Sequence, residues 1–146
     1  MEKIIAKFKG KGLRMTPQRI AILKYMEGNT SHPTADDIFR DVKKRFPTIS
    51  FATVYNTLQT LRNNGEVLEI TIDPARKHYD PNTHPHHHII CIECDEILDV
   101  FEDYANSLKL PANILKEFKL VGNHVDFYGL CRKCQKRGAL GPKGSH

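Results

Sequence analysis

Residues 84–94 read His84-Pro85-His86-His87-His88-Ile89-Ile90-Cys91-Ile92-Glu93-Cys94, which places four histidines and a Cys-x-x-Cys pair within eleven residues. A second pair, Cys131-Arg132-Lys133-Cys134, begins after a gap of 36 residues and completes the chain's 4 cysteines. Each short knuckle holds two sulfurs about a metal's width apart. Cys91, Cys94, Cys131 and Cys134 can therefore surround one tetrahedral Zn(II). Redox dithiols and disulfides are the competing readings. Neither has support, because no thioredoxin-like βαβ context is present and the opening MEKIIAKFKGKG has no secretory h-region or cleavage site.

A closed four-thiolate site leaves no coordination position for the histidines. On an extended strand His86 and His88 point to one face, which Ile90 continues, and His87 points to the other. Two imidazoles on one face are half of a metal site. A solvated polar tract rich in histidine, or a non-specific nickel-binding one, is the alternative.

Working outward, the net charge of +5 is unevenly distributed. Residues 1–80 hold 14 Lys and Arg against 9 Asp and Glu, whereas residues 81–146 hold 8 against 8. A basic first part and a neutral second part fit a polyanion-binding module followed by a module with another task. The boundary falls at the turn-rich Asp80-Pro81-Asn82-Thr83, so the expected domains are 1–82 and 83–138. Residues 139–146, a glycine-rich tail, are expected to be disordered. No apolar run reaches the ~18 residues of a membrane span, and a cytoplasmic protein is expected.

The first part predicts four helices. Ile4, Ile5 and Phe8 mark a short basic one, and Thr16-Pro17 supplies an N-cap and first-turn proline to a second that stops at Gly28. Thr34 caps a third, with Ile38, Phe39 and Val42 inward. Ser50 caps a fourth, Phe51 to about Asn64, with Phe51, Val54, Leu58 and Leu61 at helical spacing. The last two have the form of a helix-turn-helix. Ala52, Thr53, Asn56, Thr57, Gln59, Thr60 and Arg62 make the remaining face of the fourth helix small, polar or basic, which suits a major groove. Thr53, Tyr55 and Asn56, beside Ala52, are candidates for base contacts, and Lys11, Arg14 and Arg19 for backbone or minor-groove contacts. Two extended segments, 67–72 and 77–80, then form a β-hairpin, completing a winged helix. The second part reads as strand 86–91, strand 96–100, helix about 102–118 interrupted near Pro111, and strand 120–128. The fold class is α+β, a winged helix-turn-helix domain followed by a small α/β domain.

These motifs occur together in one family. Thr16-Pro17-Gln18-Arg19, His32-Pro33-Thr34-Ala35, Ala52-Thr53-Val54-Tyr55, the histidine-rich strand before Cys91-x-x-Cys94, and Tyr128-Gly129-x-Cys131-x-x-Cys134 follow the order seen in ferric uptake regulator (Fur) proteins, over about residues 3–136. The resemblance implies a homodimeric, metal-dependent repressor that reads a palindromic operator and dimerises through its second domain. It further implies a regulatory metal, Fe(II) or Mn(II), held by His32, Asp80, His86, His88 and Asp99. Asp99, where iron-uptake regulators usually have Glu, and Ala52-Thr53-Val54-Tyr55-Asn56 resemble the peroxide-sensing PerR branch. In that branch Fe(II) reduces peroxide and the oxidant attacks a ligating imidazole, here His32 or His86, which releases DNA. An iron-uptake regulator that responds to Fe(II) without oxidation is the alternative.

The reaction is stoichiometric self-oxidation, so no enzyme is expected. A zinc hydrolase could draw three ligands and a base from the histidines and Asp80 or Asp99. It is disfavoured because HExxH, a phosphate loop and a Ser/His/Asp set are all missing and an acid-free helix face would have no purpose. A structural zinc-ribbon adaptor, with incidental histidines, would bind no specific duplex.

Overall fold

The computed structural model describes residues 2–10, 14–104 and 107–138, without the side chain of Lys7. Lys11 and the tail 139–146 lie outside the described residues. The chain divides into two compact units, Met1–Thr83 and His84–His146.

The first unit runs α1 (Glu2–Gly10), α2 (Pro17–Met26), α3 (Ala35–Lys43), α4 (Phe51–Asn63), β1 (Leu68–Asp73) and β2 (Arg76–Asp80). Its helices begin where local chemistry dictates. Thr16 accepts from the Arg19 N–H, Thr34 from that of Asp37, and Ser50 from that of Thr53, each satisfying one of the donors a helix start leaves open. α4 ends in a Schellman arrangement, with Gly65 at φ 72° and the Glu66 N–H bonded to the Leu61 carbonyl at 2.9 Å. Phe8, Ile22, Leu23, Met26, Ile38, Val42, Val54, Leu58 and Leu61 form the core, closed by Val67, just before β1, and by Tyr79 of β2. β1 and β2 pair antiparallel from Leu68↔Asp80 to Asp73↔Arg76. Three packed helices followed by this hairpin are the elements of a winged helix-turn-helix.

Two side chains of α4 depart from expectation. Phe51 is 41% exposed, lying edge-on to Phe39 and stacked with Tyr55, whereas Thr57 is buried and donates its hydroxyl to the Thr53 carbonyl at 2.7 Å. The buried stripe is 54, 57, 58, 61, which is the i, i+3, i+4, i+7 pattern of one helix face. Phe51 overhangs its end.

The α3 cap carries a prediction. Thr34 and Asp37 form a capping box, in which the Asp37 carboxylate accepts the Thr34 N–H at 3.0 Å. Burial pushes the Asp37 carboxyl up, but hydrogen bonds from Thr34 and Arg40 outweigh it and hold it below its usual value. A group depressed in this way stabilises the fold above its unfolded pKa, and the contribution is lost as pH falls through the folded one. Thr34→Ala should lower the melting temperature of the first unit by roughly 4–8 °C, from a cap contribution of about 1 kcal/mol. Asp37→Asn should destabilise at neutral pH and converge with the parent in acid, as thermal melts across pH would show.

The second unit holds β3 (His87–Cys91), β4 (Ile97–Val100), α5 (Ala112–Glu117), β5 (Asp126–Gly129) and α6 (Arg132–Lys136). Its sheet has the order β4-β3-β5, with β3 antiparallel to β4 and parallel to β5. Of the helix expected at about 102–118 with an interruption near Pro111, only the part after Pro111 is a helix among the described residues. Bonds from the Ser107 and Leu108 N–H groups to the Tyr104 carbonyl close a single turn, and α5 begins only after Pro111, because proline offers no N–H and disfavours helix at the preceding residue. The expected strand 120–128 shortens to β5, since β3 offers partners only for residues 126–129.

Candidate metal centres

The sulfur cluster comes first, because its geometry is the most restrictive. The Sγ atoms of Cys91, Cys94, Cys131 and Cys134 all lie within 4.8 Å of one another, and no disulfide joins them. Zn–S bonds of about 2.3 Å place the sulfurs of a tetrahedral site about 3.8 Å apart. Cys94 Sγ and Cys131 Sγ are 3.7 Å apart. One pair closes the loop after β3, where the Asp95 N–H bonds to the Cys91 carbonyl at 2.9 Å, and the other opens α6 after β5. Burial pushes the Cys91 thiol up, yet N–H groups of Cys131, Cys94 and Glu93 outweigh it and bring its pKa down to about 6. Cys134 is pushed up to about 12 by burial and by its sulfur neighbours. A metal takes thiolate ligands, a form that the N–H groups around Cys91 favour and that burial and neighbouring sulfurs oppose at Cys134.

In the second unit the pairing of β3 with β4 sets His88 opposite Asp99. His86 Nε2 lies 3.0 Å and His88 Nε2 3.3 Å from the same Asp99 oxygen, and the two rings meet with centroids 4.6 Å apart. Both histidines are buried. His86 also directs Nδ1 at the His84 carbonyl, 2.6 Å away. Acceptors therefore face both of its nitrogens. A second proton, or a cation between Nε2 and the carboxylate, satisfies that arrangement. The donor set, two imidazole nitrogens and a carboxylate, suits Fe(II), Mn(II) or Zn(II).

In the first unit His32 Nε2 lies 3.3 Å from Asp80 Oδ2, both side chains being almost fully buried. This pair has the same chemistry. His87, by contrast, uses Nδ1 to accept the Val125 N–H at 2.9 Å, and its ring lies 5.9 Å from that of His124. His124 instead contacts Asp126 at 2.7 Å, and its Nδ1 faces the His86 carbonyl at 3.1 Å. His88, His124 and Asp126 form a further group whose ligand atoms lie within 4.8 Å of one another. Asp126 drew no attention in the sequence because its place beside His88 follows from the β3–β5 register alone.

Of the candidate DNA contacts, Ala52, Tyr55 and Asn56 are exposed on α4 and Thr53 is half-buried, its hydroxyl 2.9 Å from that of Ser50. Arg14 is exposed, whereas Arg19 is half-buried and its guanidinium donates to the Arg14 carbonyl at 2.5 Å. The face of α4 is not free of acids in three dimensions. Glu69 of β1 accepts from Gln59 at 3.1 Å and pairs with Arg62 at 3.4 Å and Lys77 at 3.3 Å. Arg76, at the hairpin tip, is a further exposed basic residue, with Asp73 3.8 Å away. It lines a cavity with Phe51, Tyr55 and Lys77.

A helix-turn-helix unit with a hairpin, followed in the chain by a mixed-sheet unit bearing clustered thiols and histidine–carboxylate groups, defines the class of metal-binding transcriptional regulators. The chain belongs to the ferric uptake regulator family, whose model matches residues 10–128. It is 38% identical over 137 residues to the peroxide-responsive repressor PerR of Staphylococcus aureus strain Mu50, covering 94% of this chain and 93% of that one. The crystal structure of the Campylobacter jejuni peroxide stress regulator aligns with a TM-score of 0.63 at 30% identity, over 92% of this chain and 98% of that one. The ferric uptake regulator of Helicobacter pylori shares the fold, with a TM-score of 0.77 at 20% identity over 92% and 90% of the two chains. Among the described residues no helix is long and apolar enough to cross a membrane.

Proposed function

We propose that this protein is a metal-dependent transcriptional repressor of the peroxide-sensing type, acting as a homodimer on a palindromic operator. The observation that carries the reading is the single Asp99 oxygen between the Nε2 atoms of His86 and His88, in a chain similar over nearly its whole length to a peroxide-responsive repressor. The first unit, to about residue 82, binds DNA, and residues 83–138 dimerise. Cys91, Cys94, Cys131 and Cys134 hold a structural Zn(II). His32 and Asp80 from one unit, with His86, His88 and Asp99 from the other, hold one regulatory Fe(II) or Mn(II). Because these ligands come from both units, binding favours whichever conformation brings them together, and DNA affinity shifts with it.

Fe(II), when bound, would activate peroxide. One peroxide oxygen would enter a ring C–H bond of His32 or His86 and the other would leave as water, the imidazole supplying the two electrons overall; the oxidised ring would be a poorer ligand and the repressor would release DNA. Asp80 and Asp99 balance the charge of the bound cation, while the zinc thiolates keep the second unit folded throughout. Consumption of the protein's own side chain, without turnover, sets this apart from catalysis.

Gel shifts against inverted repeats selected from a random duplex library test the reading. Mn(II) should produce a retarded band, removal of Mn(II) with zinc retained should abolish it, and His88→Ala should not respond. A specific complex that is indifferent to Mn(II), or no specific complex at all, would sink it. Within that assay Arg14→Ala should weaken all sequences alike and lower the salt slope by about 1. Asn56→Ala should instead relax preference at one base pair by about 1–3 kcal/mol.

A further inference from the structure

Among the described residues only His32 and Asp95 combine a side chain with a positive φ, and His32 sits at 52°. A residue with a Cβ stays in the left-handed region when its surroundings hold it there. Strand β2 does so for His32. His78 Nδ1 lies 2.7 Å from the His32 carbonyl, and the Tyr79 N–H bonds to the Pro33 carbonyl at 2.9 Å. Thr34 adds an antiparallel bridge to His78. Because the acceptor is a carbonyl, His78 Nδ1 must carry the proton and donate.

The geometry of the strand gives this bond its consequence. Residues 78 and 80 share one face of β2 and Tyr79 takes the other, where its side chain is 1% exposed within the helical core. The strand is thereby anchored. From its other face Asp80 Oδ2 meets the His32 ring at 3.3 Å, while His78 fixes the His32 main chain. His78 is itself 9% exposed, so water is a poor substitute for it at the carbonyl.

We propose that His78 is a positioning residue for His32: its Nδ1–H, by fixing the His32 carbonyl, sets the turn that aims the His32 imidazole at Asp80. The proposal rests on the reading of His32 as a regulatory-metal ligand, and it assigns to His78 a role outside the ligand set. An outer hydrogen bond that orients a ligand commonly governs metal affinity by about 10–100-fold.

Three substitutions separate positioning from space-filling. Asn places an amide nitrogen near the position of imidazole Nδ1, Gln places one near Nε2, and Leu keeps the bulk without a donor. His78→Leu should shift the His32 resonances in the NMR spectrum of metal-free, zinc-retaining protein. It should also weaken Mn(II) binding by about 10–100-fold with zinc content unchanged. His78→Asn should restore most of the affinity and His78→Gln little. His32 resonances and Mn(II) affinity both unchanged in His78→Leu would overturn the proposal, as would Asn, Gln and Leu variants that are equally weak. If His78→Leu moves the His32 resonances but His32→Ala binds Mn(II) like the parent, the positioning role stands and the ligand reading of His32 fails.

Discussion

Cys134→Ser is expected to yield a protein without zinc whose second unit does not hold its fold, while the first unit melts much as before. The asymmetry follows from where the apolar core lies. Among the described residues the core cluster belongs to the first unit, and the buried apolar residues of the second are Ile90, Cys91, Ile97 and Cys134. A unit of that size with so small a core needs a staple. The parallel pairing of β3 with β5 makes the need sharper, because nothing local enforces it. Cys91 ends β3 opposite Gly129, and the Cys131 N–H lies 3.3 Å from Cys91 Sγ, so a metal at the four sulfurs pins the strands where they meet. Structural zinc contributes about 10–16 kcal/mol of apparent binding energy in small metal-dependent folds, which exceeds what such a core supplies. Zinc analysis, hydrogen exchange across 87–91 and 126–129, and size-exclusion chromatography would read the result. A folded, zinc-free dimer would remove the sulfurs from their structural role.

That contrast between units also governs what was legible beforehand. In the first unit the starts of α2, α3 and α4 are written in residues within a few positions of one another, such as Thr16-Pro17 or Thr34 with Asp37, and the structure uses those contacts. The signals are local and the core is intramolecular. In the second unit the apolar pattern of residues 108–118 resembles a helix, yet Leu108, Leu115 and Phe118 are 46%, 48% and 68% exposed. A periodicity that finds no core within the chain cannot hold a helix across Pro111. The cysteine site was legible because knuckle spacing is itself a geometric constraint, and the pairing of Asp99 with His86 and His88 followed from family resemblance. His78 and Asp126 were not legible. His78 meets His32 through the isolated bridge between Thr34 and β2, and Asp126 meets His88 through the β3–β5 register, so each neighbour comes from pairing at a distance and not from any motif. Glu69 shows the same limit, since the acid beside Arg62 comes from another element.

Asp99 is where the peroxide and iron-uptake readings part. Both regulators would bind DNA with Mn(II) or Fe(II), and only the first would be chemically altered by peroxide. The short carboxylate places one oxygen between two imidazole nitrogens, at 3.0 Å and 3.3 Å. An added methylene must either push that oxygen past the histidines or fold the side chain back, and both change which positions around a bound cation stay open to peroxide. Asp99→Glu preserves charge and ligand type, so Mn(II)-dependent DNA binding should persist. Histidine oxidation should instead fall by about 10-fold or more, the scale on which small displacements around a metal site act. After anaerobic Fe(II) loading and brief peroxide exposure, peptide mapping of the parent protein should find one added oxygen on His32 or His86, with Cys91, Cys94, Cys131 and Cys134 unmodified. The variant should carry far less. Untouched histidines in the parent, or oxidation confined to Cys91 and Cys94, would favour the iron-uptake reading, since a shorter carboxylate alone would then have opened no reactive position.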